Sequence, residues 1–526
     1  MMKRGMIQLK MIKQSMSILL ILTMILITAC SPNSENVAND TNNAPNNVNA
    51  APADSDKEPK VEEKKSIRIA LFNGGRKYPD GMDENKNPYI DYIRENTNLD
   101  IKVQLPSSDG YQDALNIIMA SGDLPDMIYS QDASWFENYV KQKALQPLNE
   151  WIDQYGQDLV KNIPEDAWKT VTIDGNIYAI PSMNVVPGNE IMYIRKDWLD
   201  NLGLQVPKTL EEYREVMRAF AFDDPNRSGK DDTFGFILAE NLARMAPITG
   251  AYGVQRQMWM ERDGQLVNAS IQPEMKQSLE FLAGLHKDKI LDTEWPLNKG
   301  PILDEKVASG KAGLFSAMWY DTRGPILTSK NNDPRAEWLA LEYPVGPEWK
   351  QGTFGTGYVS GYNVVPVTSE NPDAVVRMLN FMIGDGYKTL LLGFENDVWS
   401  MKDGKIVTDF EKHNEHIYRQ TLGESIKPYG AKEDRDRLDS LGIEFDLNAN
   451  LDMIAEVAIR DQYFGVPTPG MGKYKADLNK LEIEYFTKII VGNLPIDAFD
   501  DFVEEWKKKG GDEITKEVNE WFAANN

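Results

Sequence analysis

Strand-like segments separated by helical ones are the feature that most constrains the fold of this chain. Residues 66–72 (SIRIALF) alternate in the manner of a strand, and 101–105 and 126–129 read as two further strands. Helical patterns at 87–97 and 112–121 lie between them. Because strands that are joined through helices pair in parallel, this order predicts an α/β fold, with a parallel sheet that carries helices on both faces.

A similar alternation returns further along the chain. The segment from 66 to 526 has about 460 residues, which is too many for one hydrophobic core, so its length predicts two or three domains. Later strands are predicted at 178–180, 191–194, 313–318 and 362–367, and later helices at 208–222, 272–288, 371–382 and 474–526.

Residues 1–29 have the layout of a secretory signal peptide, with a basic start, an apolar run at 17–27 and small residues at the cut. The tetrad at 27–30 (ITAC) resembles a bacterial lipobox, which implies that Cys30 carries a diacylglyceryl group and palmitate as the mature N-terminus. Two or more acyl chains hold a protein stably at a membrane. The alternative is an ordinary signal or anchor with an incidental cysteine. Cys30 is the single cysteine of the chain, so an intrachain disulfide is excluded.

The segment 30–65 combines this cysteine with a predicted disordered tether. It is rich in Asn, Ala, Pro, Ser and charge, and it cannot bury enough apolar surface to offset the entropy of ordering. Such a chain spans roughly 30–35 Å. The net charge of −24 argues against nucleic acid and anionic lipid headgroups as partners. No apolar run of transmembrane length follows residue 29.

Three phrases, in order and in register, resemble hallmarks of one protein family. They are residues 120–126 (ASGDLPD), 174–181 (DGNIYAIP) and 193–199 (YIRKDWL), the last followed by a helix start in which Thr209 is the predicted N-cap and Glu212 its capping-box partner. The family is the extracellular solute-binding proteins, family 1, of sugar-type ABC importers. The closest subgroup is the large LplA-like lipoproteins of Gram-positive bacteria, and the resemblance runs from about residue 66 to 525.

The resemblance implies a type II, periplasmic-binding-protein-like flytrap, in which two interleaved α/β lobes close about hinge crossings. Lobe 1 would take 66–190 with 358–415, and lobe 2 would take 191–357 with 416–526. The resemblance also implies a monomer that is lipid-anchored on the extracytoplasmic face of the cell membrane of a Gram-positive bacterium. It would capture a carbohydrate, expected to be an oligosaccharide, and deliver it to a permease served by separate ATPase subunits.

Aromatic and polar side chains in predicted loops are the candidates for ligand contact. Sugars present apolar CH faces and hydroxyl edges, which suit aromatic rings and polar groups in a concave site. The strongest candidate is the cluster after the strand at 313–318. For each single tryptophan the alternative is packing in a core or a lobe interface. The candidates are Trp319, Tyr320, Asp321 and Arg323 in the cluster, and Trp135, Trp259, Tyr358, Trp399, Asn73 and Arg76 elsewhere.

The loop at 224–232 (DPNRSGKDD) resembles the opening of an EF-hand. Oxygen-bearing side chains occupy positions 1, 3, 5 and 9, a glycine occupies position 6, and the carbonyl of position 7 is a further donor. Some relatives complete such a loop with an acid at position 10, where this chain has Thr233, and the usual glutamate of position 12 is Gly235. The pattern predicts a structural calcium ion, against the alternative of a polar turn. Its ligands would be Asp224, Asn226, Ser228, Lys230 and Asp232.

Enzymatic motifs are sparse in this sequence. It has no Walker A motif and no Gly-x-Ser-x-Gly elbow. His413 and His416 have helical spacing, but no cysteine or third nearby histidine completes a zinc set. We expect no enzyme activity, no catalytic residue and no cofactor apart from the calcium. Two alternatives stay open: the same fold binding a peptide or another small solute, and an extracytoplasmic glycoside hydrolase that uses two carboxylates.

Overall fold

Strands alternate with helices from the start of the described chain, as predicted. The structure is a computed structural model that describes residues 64–441 and 444–525, so the signal peptide, Cys30 and nearly all of the tether lie outside the described residues. Helix α1 begins where the side chain of Asn87 accepts the backbone N–H groups of residues 89 and 90. The first elements are β1 (Lys65–Ala70), α1 (Pro88–Thr97), β2 (Leu99–Gln104), α2 (Tyr111–Ser121), β3 (Met127–Ser130), α3 (Ala133–Lys141), α4 (Asn149–Tyr155), α5 (Gln157–Asn162), α6 (Glu165–Lys169), β4 (Thr172–Ile173), β5 (Asn176–Ile177) and β6 (Ile180–Met183).

The middle of the chain builds a second set of strands and helices. The predicted capping box is confirmed, because the Thr209 hydroxyl accepts the Glu212 N–H and the Glu212 carboxylate accepts the Thr209 N–H at 3.0 Å. The elements are β7 (Glu190–Arg195), α7 (Lys196–Leu202), α8 (Leu210–Phe222), α9 (Ala246–Gly250), β8 (Trp259–Arg262), β9 (Gln265–Asn268), α10 (Pro273–Lys287), α11 (Gly300–Ala308), β10 (Leu314–Met318), α12 (Pro325–Asn332), β11 (Trp338–Leu341), β12 (Thr353–Phe354) and β13 (Val359–Val364), with 3₁₀ turns at Glu240–Leu242, Ala269–Ile271, Trp295–Leu297, Asp321–Arg323 and Pro347–Trp349.

The last third is mainly helical. The region predicted as helical at 474–526 is three helices, because the chain breaks at 491–497 and again around Gly510, whose φ is +120°. The elements are α13 (Pro372–Ile383), α14 (Tyr387–Leu392), β14 (Trp399–Lys402), β15 (Lys405–Thr408), α15 (Phe410–Glu415), α16 (Gln420–Gly423), α17 (Lys432–Asp439), α18 (Leu447–Val457), β16 (Ala458–Ile459), α19 (Pro469–Ile490), α20 (Ala498–Trp506) and α21 (Asp512–Asn525), with a 3₁₀ turn at Ile417–Arg419 and a π-type turn at Lys507–Gly511.

The first sheet has the strand order β2-β1-β3-β13-β6. Strands β1, β2 and β3 pair in parallel, as predicted, whereas β13 runs antiparallel to both β3 and β6. Helices cover both faces. One core joins β1 and β2 to α1 and α13, and the other places α2 and α3 against β3 and β13.

The second sheet, β10-β7-β11, is antiparallel throughout. The parallel arrangement expected from the strand–helix alternation is therefore wrong for this half of the molecule. Two large cores flank this sheet. They include the C-terminal helices α19, α20 and α21 on one side and α18 on the other.

Two chain segments cross between the sheets side by side. The first runs from β6 to β7 and the second from β12 to β13. They are joined by an antiparallel bridge between Gly188 and Gly355 and by a hydrogen bond of 2.7 Å from the Asn184 N–H to the Tyr358 carbonyl. Strand β16 pairs with β12 and so adds a third segment to this region. The molecule is thus a two-lobe α/β structure with crossings between its lobes.

The lobe boundaries set from the sequence stay a prediction. In the structure Tyr418, Leu422 and Ile426 pack in the core of the first sheet. This packing favours a return to the second lobe after residue 426, whereas the sequence set it at 416. Among the described residues, none of the helices has both the length and the apolar character that crossing a bilayer demands.

Candidate functional site

One edge of the first sheet carries the loops that meet the crossings. Strand β3 ends at Ser130, which pairs with Tyr362 near the start of the antiparallel β13. The carboxyl ends of β1, β3 and β6 and the amino end of β13 therefore lie along the same edge. In open α/β sheets ligands bind outside the carboxyl ends of the strands. The segment around Glu424 and Lys427 lines this edge, because their carbonyls accept hydrogen bonds from Ser182 (3.1 Å) and Met183 (3.1 Å).

The cluster predicted at 319–323 lies where the first crossing enters the second sheet. Met318, the last residue of β10, pairs with Glu190, the first residue of β7, and the Trp319 N–H donates to the Asn189 carbonyl at 2.8 Å. The rings of Trp319 and Tyr320 meet edge to face at 5.4 Å between centroids. Tyr320 is 47% exposed, which leaves its ring available to a ligand.

Asp321 is buried and braces this turn from within. Its Oδ2 accepts the Met318 N–H at 2.8 Å and forms an ion pair with Arg244 at 3.2 Å. Burial raises the pKa of Asp321, and the Arg244 charge opposes that shift. Arg323, two residues on, is exposed. Of the cluster, Tyr320 and Arg323 therefore offer exposed side chains, while Asp321 positions the turn.

The first lobe contributes a polar loop after β1. Arg76 donates to the Asn73 carbonyl at 2.8 Å and to Glu424 at 2.5 Å. The side-chain oxygen of Asn73 is buried without a hydrogen-bond partner. This loop is thus tied to the segment around Glu424 on the same edge of the sheet. Asn73 keeps one acceptor unused there.

Tyr358 lies on the second crossing and is half-buried. Its ring meets Tyr429 at 5.6 Å, and the Arg460 guanidinium lies 5.8 Å from its centre. The three side chains help to line a cavity of about 170 Å³ beside the crossings. Pockets for small ligands measure roughly 300–1,000 Å³. The cavity is therefore too small for an oligosaccharide.

Three exposed aromatic residues at the crossings are not among the site residues predicted from the sequence. Tyr429 follows the first-sheet segment that ends at 427, Phe354 lies in β12, and Phe464 follows β16, and each is more than two-fifths exposed. An aromatic residue between Pro428 and Gly430 is a sequence signal for a ring held in a turn. The other two lacked such a signal, because their exposure depends on how distant segments meet.

Residues 81–389 match the model of one family, whose description is bacterial extracellular solute-binding protein. The chain belongs to this family. The predicted resemblance is thereby confirmed. Among curated relatives, Lipoprotein LipO of Bacillus subtilis is 26% identical over 456 residues, which cover 83% of this chain and 89% of the relative. The polygalacturonan/rhamnogalacturonan-binding protein YtcQ of the same organism is 27% identical over 452 residues, covering 83% and 88%.

Solved structures of solute-binding proteins share the fold. A protein from Bifidobacterium longum infantis, described as binding HMO, superimposes with a TM-score of 0.68 at 17% identity, covering 87% of this chain and 98% of its own. FusA of Streptococcus pneumoniae in complex with kestose gives a TM-score of 0.66 at 18% identity, covering 88% and 100%. The alginate-binding protein AlgQ2 gives 0.64 at 19%, covering 88% and 99%. The two-lobe α/β fold predicted from the sequence is confirmed by these similarities.

Three of the predicted tryptophans lie inside this solute-binding protein. Trp135, Trp259 and Trp399 are each 4% exposed and belong to hydrophobic cores. The Trp399 indole N–H donates to the Gly393 carbonyl at 2.8 Å, and Lys388 lies over its ring at 4.4 Å. The structure thus places them in the packing role that the sequence left open as the alternative.

The loop at 224–232 has part of the geometry of a calcium site. The Asp224 carboxylate accepts the N–H groups of Ser228 (2.8 Å) and Gly229 (3.0 Å), and Gly229 has a φ of +70°. The side chains of Asn226 and Ser228 both lie 3.1 Å from one oxygen of Asp232. The Asn226 contact is made by its amide nitrogen and the Ser228 contact by its hydroxyl, so hydrogen bonds hold positions 3, 5 and 9 of the loop together. Within the described residues there is no group of three or more His, Cys, Asp or Glu side chains placed to hold a metal.

Proposed function

We propose that this solute-binding protein captures an oligosaccharide between its lobes and delivers it to an ABC permease. The observation that carries the proposal is the set of exposed aromatic rings at the crossings and the 319–323 turn, above all Tyr320 and Tyr429. Aromatic faces bind the CH faces of sugars, and the nearby Arg, Asn and Glu side chains suit hydroxyl groups. The names of YtcQ and of the fructooligosaccharide-binding FusA support a carbohydrate as the solute.

Capture follows from closure of the lobes. A solute shifts the lobes towards the closed form only if it binds that form more tightly. Rings on the crossings and on the second lobe would meet one sugar chain from two sides when the lobes approach. The closed form would then dock on permease subunits whose ATPase is separate, since the sequence has no nucleotide-binding motif of its own.

The proposal includes a lipid anchor at Cys30, with palmitate, that holds the protein at the extracytoplasmic face of the membrane. The leader pattern and the lipoprotein name of LipO support it. The protein works as a monomer and has no enzyme activity of its own. Metabolic labelling with a palmitate analogue tests the anchor. The Cys30→Ser variant should take up no label. A wild-type chain that also takes up no label would refute the lipid anchor.

The loop at 224–232 holds a structural calcium ion in this proposal. Asp224, Asn226, Ser228, Asp232 and the carbonyl of Lys230 would supply the oxygens, which are the donors that calcium prefers. The two aspartates supply the negative charge. A ligand that binds only the folded state raises the melting temperature. We expect calcium to raise that temperature and chelator to reverse the rise, and an Asp224→Asn/Asp232→Asn variant to show neither effect. Equal melting temperatures with calcium and with chelator would remove the ion from the proposal.

A thermal-shift screen of the mature chain against oligosaccharides, monosaccharides and peptides tests the function. A solute at about 100 times its dissociation constant stabilises the folded state by about 2.7 kcal/mol. We expect a carbohydrate to stabilise the protein and to remain intact on long incubation. Decay of the carbohydrate into shorter sugars would indicate a glycoside hydrolase. Stabilisation by peptides alone would indicate a peptide-binding protein of the same fold.

Substitution of the exposed rings tests the site. Tyr320→Ala and Tyr429→Ala should each weaken sugar binding about tenfold, in line with the loss of one stacking contact worth roughly 1–1.5 kcal/mol. Phe222→Ala is the matched control, because Phe222 is also exposed but ends helix α8, far along the chain from the crossings. Unchanged sugar affinity in both tyrosine variants would show that these rings do not form the site.

A further inference from the structure

A cavity with aromatic walls lies between the lobes, beside the chain that follows β16. It measures about 210 Å³, and its walls include Trp259, Tyr463 and Trp506, none of which is more than one-tenth exposed. We call it the Trp259 cavity. Ala133, the first residue of α3, lines it from the first lobe. Strand β3 ends three residues before Ala133, so the cavity lies at the edge of the first sheet outside which ligands bind in such folds.

The chain that follows β16 connects this cavity to both lobes. Tyr463 belongs to the main core of the second lobe, whereas Val466 packs against a core of the first sheet. The Tyr463 hydroxyl donates to the Val466 carbonyl, which holds the two residues together. A ligand in the Trp259 cavity would contact both this chain and Ala133, so it could favour one arrangement of the two lobes over another.

Two buried carboxylates in the cavity wall each keep one oxygen for a ligand. Oδ1 of Asp461 accepts the N–H groups of Trp259 and Tyr463, both at 3.0 Å. Oε1 of Glu482, a residue only 2% exposed, accepts Nε–H of Arg256 at 2.5 Å. Within the described residues, Oδ2 of Asp461 and Oε2 of Glu482 accept no hydrogen bond. Because a buried acceptor without a partner is costly, a hydroxyl group that reaches these oxygens would be stabilised.

A neighbouring cavity of about 190 Å³ continues the site towards the crossings. Gln257 lines both cavities, and Glu190 and the exposed Phe354 line the neighbouring one. Liquid water takes roughly 30 Å³ per molecule, so each cavity equals about six or seven waters, on the order of one sugar ring. The two cavities together reach the roughly 300–1,000 Å³ of small-ligand pockets.

The C-terminal helices close the Trp259 cavity on one side. Leu478 of α19, Trp506 of α20 and Ile514 of α21 contribute buried side chains to its wall. The route for a sugar chain leads past Gln257 into the neighbouring cavity. A ring that occupies the Trp259 cavity is therefore an end ring of the chain.

We infer that the Trp259 cavity binds the sugar ring at one end of the solute, and that Asp461 and Glu482 select a neutral ring over an acidic one there. This inference rests on the proposed function. Carboxylate oxygens accept hydroxyl groups in charged hydrogen bonds, which are stronger than neutral ones, and the aromatic walls suit the CH faces of the ring. The lining residues carry two carboxylates against one ammonium, that of the exposed Lys475. An acidic end ring would face this excess of like charge, which disfavours its binding.

Calorimetry on the mature chain with sugars that differ at one end tests the inference. The probes are linear tetrasaccharides of glucose, galactose and mannose. Each is compared with a form whose non-reducing terminal ring is a uronate and with a form whose reducing terminal ring is a uronate. We expect the tightest neutral probe to lose about tenfold or more in affinity when one particular end is acidic, and to keep its affinity when the other end is.

The outcomes separate this inference from the proposed function. Equal affinities of the two acidic forms would overturn the end-ring site and leave carbohydrate import standing. Binding by none of the neutral probes would also overturn it, while the thermal-shift screen decides separately whether the protein binds carbohydrate at all.

Single substitutions test the cavity and its selectivity. Asp461→Asn should bind the neutral probe about fivefold more weakly and should narrow its preference over the disfavoured acidic form, a ratio that a purely structural role would leave unchanged. Ala133→Phe fills the cavity from the first lobe and should lower the affinity for the neutral probe about tenfold or more. Asp477→Asn is the matched control, because Asp477 also lies in α19 but is 80% exposed and pairs with Lys480.

Both test variants should fold, since Asn keeps an acceptor for the two N–H groups and Ala133 is only half-buried. An unchanged preference in Asp461→Asn would overturn the role of Asp461. Wild-type affinity in Ala133→Phe would overturn the cavity as the site of the end ring.

Discussion

A buried charge cluster in the second lobe gives a sharp test of how that lobe is held together. Asp292 is fully buried, and its Oδ2 accepts the ammonium of Lys306 at 2.6 Å and the side-chain amide of Asn298 at 2.8 Å. The Asn298 side-chain amide also donates to the Leu238 carbonyl at 3.0 Å, and the backbone carbonyl of Asn298 accepts the Glu240 N–H at 2.9 Å. The cluster therefore anchors residues 238–240, which lead to Arg244, the ion-pair partner of Asp321.

The magnitude follows from what each substitution leaves behind. Asp292→Asn leaves the Lys306 ammonium, only 12% exposed, with the exposed Glu294 carboxylate at 3.7 Å as its remaining ion-pair partner. Lys306→Met leaves the buried Asp292 carboxylate without its cation. Breaking a buried ion pair from one side costs about 3–5 kcal/mol in the free energy of unfolding. The double variant removes both charges, so it should cost less than the sum of the single ones by more than about 1 kcal/mol. Asp288→Asn is the control, because its pair with Arg214 is half exposed and worth about 1 kcal/mol or less.

Urea unfolding followed by tryptophan fluorescence measures these differences. Trp295, one of the 12 tryptophans of the chain, is fully buried three residues after Asp292 and contributes to this signal. Thermal melting is less suitable, since a chain of this size changes its melting temperature by only about 1 °C per kcal/mol. The reasoning fails if Asp292→Asn costs no more than Asp288→Asn, or if the effects of the two single variants simply add.

Three further predictions concern single positions. Burial raises the pKa of Asp461 to about 6, so the folded state binds this proton more tightly than the unfolded chain and stability falls as the pH rises from about 4 to 6. Asp461→Asn, which keeps an acceptor for the N–H groups that Asp461 binds, should thus be more stable than the wild type by about 1–3 kcal/mol at pH 7 and equal at pH 4 in urea unfolding. Gly313→Ala would place a Cβ 2.2 Å from the ring of Trp198, and urea unfolding should show a loss of about 1–3 kcal/mol. Thr209→Ala removes the N-cap of α8 and should cost about 1 kcal/mol in the same assay, and no change in stability would contradict the capping role.

The parts of the fold that depend on local sequence were predictable. The capping box at Thr209 and the three parallel strands at the start of the chain follow from residue patterns within a few positions of each other. The strand pairing of the second sheet does not follow from such local patterns. Strands β7 and β10 are more than a hundred residues apart, and their antiparallel register depends on packing that no local pattern encodes.

The candidate site was likewise predictable only where it depends on local sequence. The cluster around Tyr320 follows a strand directly, so its place at a sheet edge could be inferred from the sequence. Trp135 and Trp399 were predicted in loops, but they lie in α3 and β14 and are buried in cores, because burial is decided by segments distant in the chain.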